Sequence, residues 1–245
     1  MKNIVLLTSA LYTNYGIYKP ADRIQQTLET AQSAKKFIPG AVVVLIDNSK
    51  VDVANDDSDV FNELIDTVDY YIDNSEDADI RYFHENVQNY DIGKNAMEAL
   101  GILKSLIYID QDPELTAEIK GANRIFKLSG RYRLTEKFNL DAFDNSTTKD
   151  KYVFKTAQPG WCNPSITGVT TQYQTRLWSF TPALLIPTID MYQKIIGNMM
   201  ELFNAGNYID NEHSMSKFLP RDKLVEVETV GLEGNIAPNG MMVID

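Results

Sequence analysis

The sequence predicts an α/β fold: a single domain with a Rossmann-like mixed sheet, its parallel core flanked by helices and carrying an antiparallel extension. Three observations predict it. Two short, nearly continuous apolar runs, NIVLLTSAL (3–11) and AVVVLIDNS (41–49), bracket a segment of helical periodicity. Such runs are buried strands, and a strand–helix–strand unit joins parallel neighbours. The later strands are longer and alternate in polarity, the habit of antiparallel sheets. With 245 residues, 44% of them hydrophobic, the chain has enough apolar surface for one large core.

The elements come in order. After the first strand, Pro20 opens a helix over 21–37, with Ile24, Leu28, Ala31 and Ala34 on one face. The tripeptide IPG stops it before the second strand. A short helix over 59–65 and a strand over 67–72 come next. GKNAMEALGILKSLI (93–107) is a strongly amphipathic helix. IFKLSGRYRL (125–134) alternates with period two, so it reads as one strand with a cationic face of Lys127, Arg131 and Arg133. Strands over 151–157 and 171–182, helices over 187–206 and 211–219, a strand over 223–232 and a final short strand complete the chain.

Charge narrows the function. The formal net charge is −11, yet residues 51–80 carry eleven acids and neither Lys nor Arg. The rest of the chain is therefore balanced, and the acidic block reads as a solvated face. One cysteine, Cys162, excludes an internal disulfide and fits a reducing, cytoplasmic setting. No run of eighteen apolar residues is present, so no membrane span is expected.

Ligands of open α/β sheets bind beyond the carboxyl ends of the strands. Here those ends read Thr8-Ser9, Asp47-Asn48-Ser49 and Arg131-Tyr132-Arg133. Hydroxyls and a carboxylate suit a ribose or a base, and arginines suit phosphate. Arg23, at the start of the first helix, and Lys94, at the start of the long helix, are further candidates for an anion. Neither a P-loop nor a GxGxxG turn is present, which excludes the common phosphate cradles. Asp110-Gln111-Asp112 reads as a helix terminus rather than a metal motif. Asp210 is an N-cap candidate beside Glu212 and His213, and a glutamate at a helix start suits a general base. Trp178 reads as core; Trp161 stays open between core and a sugar-stacking role. Cys162 has no histidine partner visible in the sequence.

The order TSALYT, RIQQTLETAQSAKKFIPGAVVVLIDNS, IFKLSGRYRL, NEHSMSKF resembles a family of glycosyltransferases that includes viral and phage-borne members and is similar to the WavE-type enzymes of lipopolysaccharide synthesis. The resemblance implies a GT-A-like fold and transfer of a hexose or pentose from a nucleotide-sugar donor to an acceptor hydroxyl. That acceptor would be a glycan or a hydroxymethylated base of phage DNA, with a host-cytoplasmic location if the protein is viral. By the same resemblance residues 1–134 would form the nucleotide-sugar-binding half and 135–245 the acceptor half, and Thr8, Ser9, Arg23, Asp47 and Asn48 would hold the nucleotide; Lys94, Lys127, Ser129 and Arg133 are further candidates for the diphosphate. Glu212 would be the acceptor base of an inverting reaction, His213 would lie beside the diphosphate, and residues 233–240 would close over the donor. Ser129-Gly130-Arg131 stands where metal-dependent relatives carry a carboxylate. Arg131 would then stabilise the leaving group in place of Mg²⁺ or Mn²⁺, with no cofactor required. A non-catalytic nucleotide- or glycan-binding protein is the alternative. Oligomeric state is not legible.

Overall fold

A computed structural model describes residues 2–12, 17–49, 58–87, 89–236 and 240–245. In chain order the first half comprises β1 (Asn3–Ser9), α1 (Pro20–Phe37), β2 (Ala41–Asp47), α2 (Asp59–Thr67), β3 (Tyr70–Asp73), α3 (Ala78–Asn86), α4 (Tyr90–Gln111), α5 (Pro113–Lys120), β4 (Arg124–Ser129) and β5 (Tyr132–Leu134). The second half comprises β6 (Tyr152–Lys155), β7 (Gln158–Pro159), α6 (Pro164–Thr167), β8 (Thr171–Gln172), β9 (Leu177–Phe180), α7 (Leu185–Asn204), α8 (Asn211–Phe218), β10 (Leu224–Val227), β11 (Leu232–Asn235) and β12 (Met242–Ile244).

Seven strands form the central sheet in the order β10-β6-β9-β4-β1-β2-β3. β1 pairs in parallel with both β2 and β4, β2 with β3 and β10 with β6. Only β9 runs against its neighbours β4 and β6. The mixed sheet with a parallel core is the expected one. Every residue of β1 and β4 is buried, because helices cover both faces of the parallel part. On one face Ile4, Leu6, Ile46 and Leu106 join Trp178; on the other Val5, Leu7, Leu28 and Phe126 pack together. Trp178 stacks on Phe154 with ring centroids 5.1 Å apart, the core role expected of it.

Three expected elements are corrected. The strand over 125–134 is two strands in two sheets. Gly130 N donates to Thr8 O at 2.8 Å, and Arg131 N donates to Ser129 O at 2.8 Å, which closes a tight turn after β4. A Cβ on Gly130 would lie 3.1 Å from Thr27 Oγ1 and 3.2 Å from Ser9 Cβ, so the turn lies hard against α1 and β1. β5 then leaves the central sheet and pairs with β11, which pairs with β12. The strand over 223–232 divides likewise into β10 and β11, one in each sheet. The segment over 171–182 holds the short β8, a break and β9. Helices α3 and α5, nine and eight residues long, were not among the expected elements. α3 starts on Asp77, whose side chain accepts from Asp79 N and Ile80 N.

Asp112 ends α4 and caps α5, accepting from Glu114 N and Leu115 N at 3.0 and 2.9 Å. That is the helix-terminus role expected for the Asp-x-Asp sequence. The acidic block is partly local scaffolding. Asp77 and Asp79 pair with Lys104, and Asp69 pairs with Lys35. Asp52, Asp56 and Asp57 lie outside the described residues, as do Thr13 of the first motif and residues 237–239 of the expected closing loop.

Candidate active site

The parallel register sets the site. Thr8 lies opposite both Ile46 and Ser129, and Ser9 lies opposite Asp47. Thus β4, β1 and β2 end in one row, and the turns that leave these three strands share one edge of the sheet. Because β9 runs antiparallel to β4, its start falls at that edge too: Ser129 N donates to Arg176 O at 2.9 Å.

The edge is held by hydroxyls. Ser9 Oγ and Thr27 Oγ1 are 2.9 Å apart, and Thr27 Oγ1 also lies 3.2 Å from Gly130 O. Arg23, 6% exposed, reaches back from the first turn of α1 toward Ala10 O at 3.4 Å. The structure therefore brings Thr8, Ser9, Arg23, Ser129 and Arg131 to one strand edge.

Lys127 sits deeper in the strand, at 1% exposure, where both faces of β4 are covered. Its ammonium has three donors and meets three acceptors: Thr175 O at 2.8 Å, Ser129 Oγ at 2.8 Å and Glu98 Oε1 at 3.2 Å. The expectation of a solvated cationic strand face is corrected here. Lys127 has no proton left for a phosphate and serves as an internal strut.

Glu98, on α4, was not singled out from the sequence. Burial pushes its carboxyl up, but Lys127, Lys94 and Arg131 outweigh that and hold it below the ordinary glutamate value. Lys94 lies one helical turn before it. Glu212 moves the other way: burial, then repulsion from Asp210 and Glu98, raise its carboxyl. Thr175 Oγ1 donates to Glu212 Oε1 at 3.0 Å, while the carbonyl of Thr175 accepts a hydrogen bond from Lys127 Nζ. One residue thus links the two carboxylates. A pair of carboxyls driven apart by their surroundings is the usual basis for dividing acid, base and electrostatic roles.

Arg131 closes the cluster. Its Nη1 is buried with no hydrogen-bond partner among the described residues. Its guanidinium lies 5.6 Å from the Tyr132 ring, and that of Arg176 lies 5.2 Å from the same ring. Arg176 was also missed from sequence. The signal was available, since an antiparallel β9 beside β4 must place the residue before Leu177 at the ligand edge.

Four expected site residues are spent elsewhere. Asp47 is fully buried and accepts from Leu11 N at 3.0 Å and from Ser49 Oγ at 2.6 Å, binding the turns after β1 and β2. Asn48 accepts from Asn74 and donates toward Met97 O. Arg133 is exposed and pairs with Glu233 at 2.6 Å, on the small sheet. His213 is fully buried. Its Nε2 accepts from Trp161 N at 3.1 Å and Cys162 N at 3.2 Å, which leaves Nδ1 to donate to Asp210 Oδ1 at 2.6 Å. Both ring nitrogens are taken, so His213 ties α8 to the 161–162 loop instead of facing a diphosphate. Asp210 is the N-cap of α8, accepting from His213 N at 2.8 Å.

The fold family raises the question of a divalent cation. Among the described residues, those at this edge do not fit one. The end of β4 offers no carboxylate at Ser129-Gly130-Arg131. Cys162, Asp210 and His213 lie close enough to share an ion, but the histidine nitrogens are occupied, and burial pushes the Cys162 thiol up to about 11. Cys162 does have a histidine neighbour in space, His213, yet that ring already accepts its backbone N–H and takes no thiol proton.

No family model matches the chain, and no curated protein matches it. Solved structures do. The galactosyltransferase LgtC in complex with donor and acceptor sugar analogues superposes with a TM-score of 0.53 at 10% identity, covering 92% of this chain and 73% of that one. An active-site variant of LgtC gives 0.52 at 10% identity, covering 92% and 72%. A glycosyltransferase involved in glycosylation of the major capsid of PBCV-1 gives 0.45 at 8% identity, covering 93% and 82%. The likeness to LgtC is one of fold, and the mixed seven-stranded architecture is that of the GT-A glycosyltransferases. Among the described residues no helix is long and apolar enough to cross a membrane.

Proposed function

We propose that the protein is a glycosyltransferase that takes its sugar from a nucleotide-sugar donor and works without a divalent cation. The observation that carries the reading is Arg131: a guanidinium nitrogen buried without a partner, at the strand edge where this fold binds ligands. A guanidinium in that state fits a diphosphate, which would satisfy it by charge-assisted hydrogen bonds. Thr8, Ser9 and Arg23 line the same edge, with Arg176 and Lys94 adding positive charge.

In this reading the acceptor hydroxyl attacks the anomeric carbon. Its proton passes to Glu212, the bond from the anomeric carbon to the diphosphate oxygen breaks, and the charge on the departing nucleoside diphosphate falls to Arg131 and Arg176. Glu98 and Lys127 hold the geometry. The acceptor is a glycan hydroxyl rather than a hydroxymethylated base of phage DNA. Of the basic run that would grip a polynucleotide, Arg124 is fully buried against Ser179 Oγ, Thr148 O and Lys151 O, and Lys127 is enclosed.

A thermal-shift screen of UDP-, GDP-, CMP- and dTDP-sugars in excess EDTA tests the proposal. A donor present at 100 times its dissociation constant stabilises by about 2.7 kcal/mol. Binding of one donor, followed by its slow hydrolysis or transfer, supports the reading. Absence of any shift counts against it, and a donor bound but never cleaved favours a non-catalytic binder on the same fold.

A further inference from the structure

The segment between β6 and β9 breaks the composition of the chain. Residues 156–175 contain no Asp, Glu, Lys, Arg or His, although 23% of the chain is charged. In their place stand Gln158, Asn163, Gln172 and Gln174 with several threonines. Within this neutral segment Trp161 is 65% exposed, while the other tryptophan, Trp178, is 1% exposed.

Trp161 is held, not loose. Its backbone N–H donates to His213 Nε2, and so does that of Cys162. A Cβ on Gly160 would lie 2.6 Å from the same nitrogen, so only glycine lets the loop lie this close to α8. The indole stands edge-on to the His213 ring at 5.6 Å and beside the Tyr208 ring at 5.9 Å. Tyr208 is fixed in turn by Asn95, whose Nδ2 donates to its hydroxyl at 2.8 Å. His213 is the residue after Glu212, and the backbone of Glu212 accepts from Tyr173 N at 3.1 Å. The exposed aromatic face is therefore anchored to the helix that carries the carboxylate assigned as base.

We infer that the exposed face of Trp161, flanked by Tyr208, forms the binding platform for a neutral saccharide acceptor. An indole face takes the C–H face of a pyranose. A polynucleotide or acidic glycan finds no cation within the segment. The inference rests on the glycosyltransferase reading for what the platform is for, though not for what it binds.

The two tryptophans supply the test. Without any donor, Trp161 emission and its quenching by iodide are tracked while glucose, galactose, mannose, N-acetylglucosamine, xylose, lactose and maltose are titrated; Trp178, being enclosed, stays constant. Saturable protection of Trp161 by at least one of these sugars is the expected result. By saturation-transfer NMR, Trp161→Ala then weakens binding of that sugar about tenfold, and Trp161→Phe restores most of it. Donor-induced thermal shifts stay unchanged in both variants, which also shows that they fold. Protection by no sugar, protection by an oligonucleotide instead, or unaltered saccharide binding in Trp161→Ala overturns the inference. Failure of the donor screen with sugar binding intact overturns only the enzymatic reading.

Discussion

Lys127 donates to Glu98 Oε1 at 3.2 Å from a position 1% exposed, whereas the carboxylate it meets keeps 27% of its surface. The asymmetry decides what each substitution costs. Lys127→Met leaves Glu98, Ser129 and the Thr175 carbonyl without their shared donor and lowers stability by about 3 kcal/mol, as for other broken buried pairs. Glu98→Gln costs about 1 kcal/mol, since the amide oxygen still accepts and water reaches the rest. Urea denaturation of both variants checks the ranking. Equal costs would mean that Lys127 is not the strut.

Arg131 behaves in the opposite way. Its buried, unpartnered nitrogen is a burden on the free protein. Arg131→Ala should leave stability unchanged or slightly raised while weakening nucleotide-diphosphate binding by about 10- to 100-fold, the worth of one or two charge-assisted hydrogen bonds. Arg131→Lys should recover little, because a point charge does not reproduce the guanidinium fork. Calorimetric titration with the donor found in the screen gives the answer, and wild-type affinity in Arg131→Ala would remove the phosphate role.

What the sequence conveys differs between these two residues for a physical reason. The parallel core was legible because strands covered on both faces are apolar throughout, as in β1 and β2. The same covering hid Lys127, since period two cannot tell a solvated cation from one enclosed by three acceptors. Gly130 sat in the pattern as an ordinary inward position. Its close approach to Thr27 and Ser9, which ends β4 and sends β5 to another sheet, depends on α1 and is invisible locally. The positions of Arg131 at a strand end and of Glu212 beside the Asp210 cap were legible because strand ends and helix starts are marked in sequence. Glu98 and His213 were not, for their roles are set by what α4 and the 161–162 loop bring beside them.

Asp47 gives a pH-dependent prediction. Burial, only partly offset by its bonds from Ser49 and Leu11, raises its carboxyl to about 6 from an ordinary value of 3.8. With a folded value above the unfolded one, the unfolded chain releases its proton first as pH rises. Stability contributed at this site is therefore full below the ordinary aspartate value and is lost as pH climbs through about 6. Asp47→Asn should flatten that part of the stability–pH curve, whereas Asp47→Ala, which strands Leu11 N and Ser49 Oγ, should cost about 2 kcal/mol at every pH. Thermal melts from pH 4 to 7 distinguish the two.

Glu212 joins stability and activity in one residue. Burial raises its carboxyl, and repulsion from Asp210 and Glu98 adds to that. The sign is that of Asp47: the group stabilises the fold while protonated, and stability falls as pH rises from the ordinary glutamate value through the raised one. As a base it must be ionised, so turnover should climb with pH over the very range in which stability declines. Glu212→Gln removes both effects. Its amide oxygen still accepts from Thr175, so the variant should be more stable than wild type at neutral pH. Turnover should fall by about 10²- to 10⁴-fold, with the ascending limb of the pH profile gone and donor affinity unaltered. A pH–rate profile beside melts of the same two proteins separates the outcomes. If Glu212→Gln turns over at the wild-type rate, the base lies elsewhere; if it is destabilised at neutral pH, the carboxyl is not strained in the way its surroundings imply.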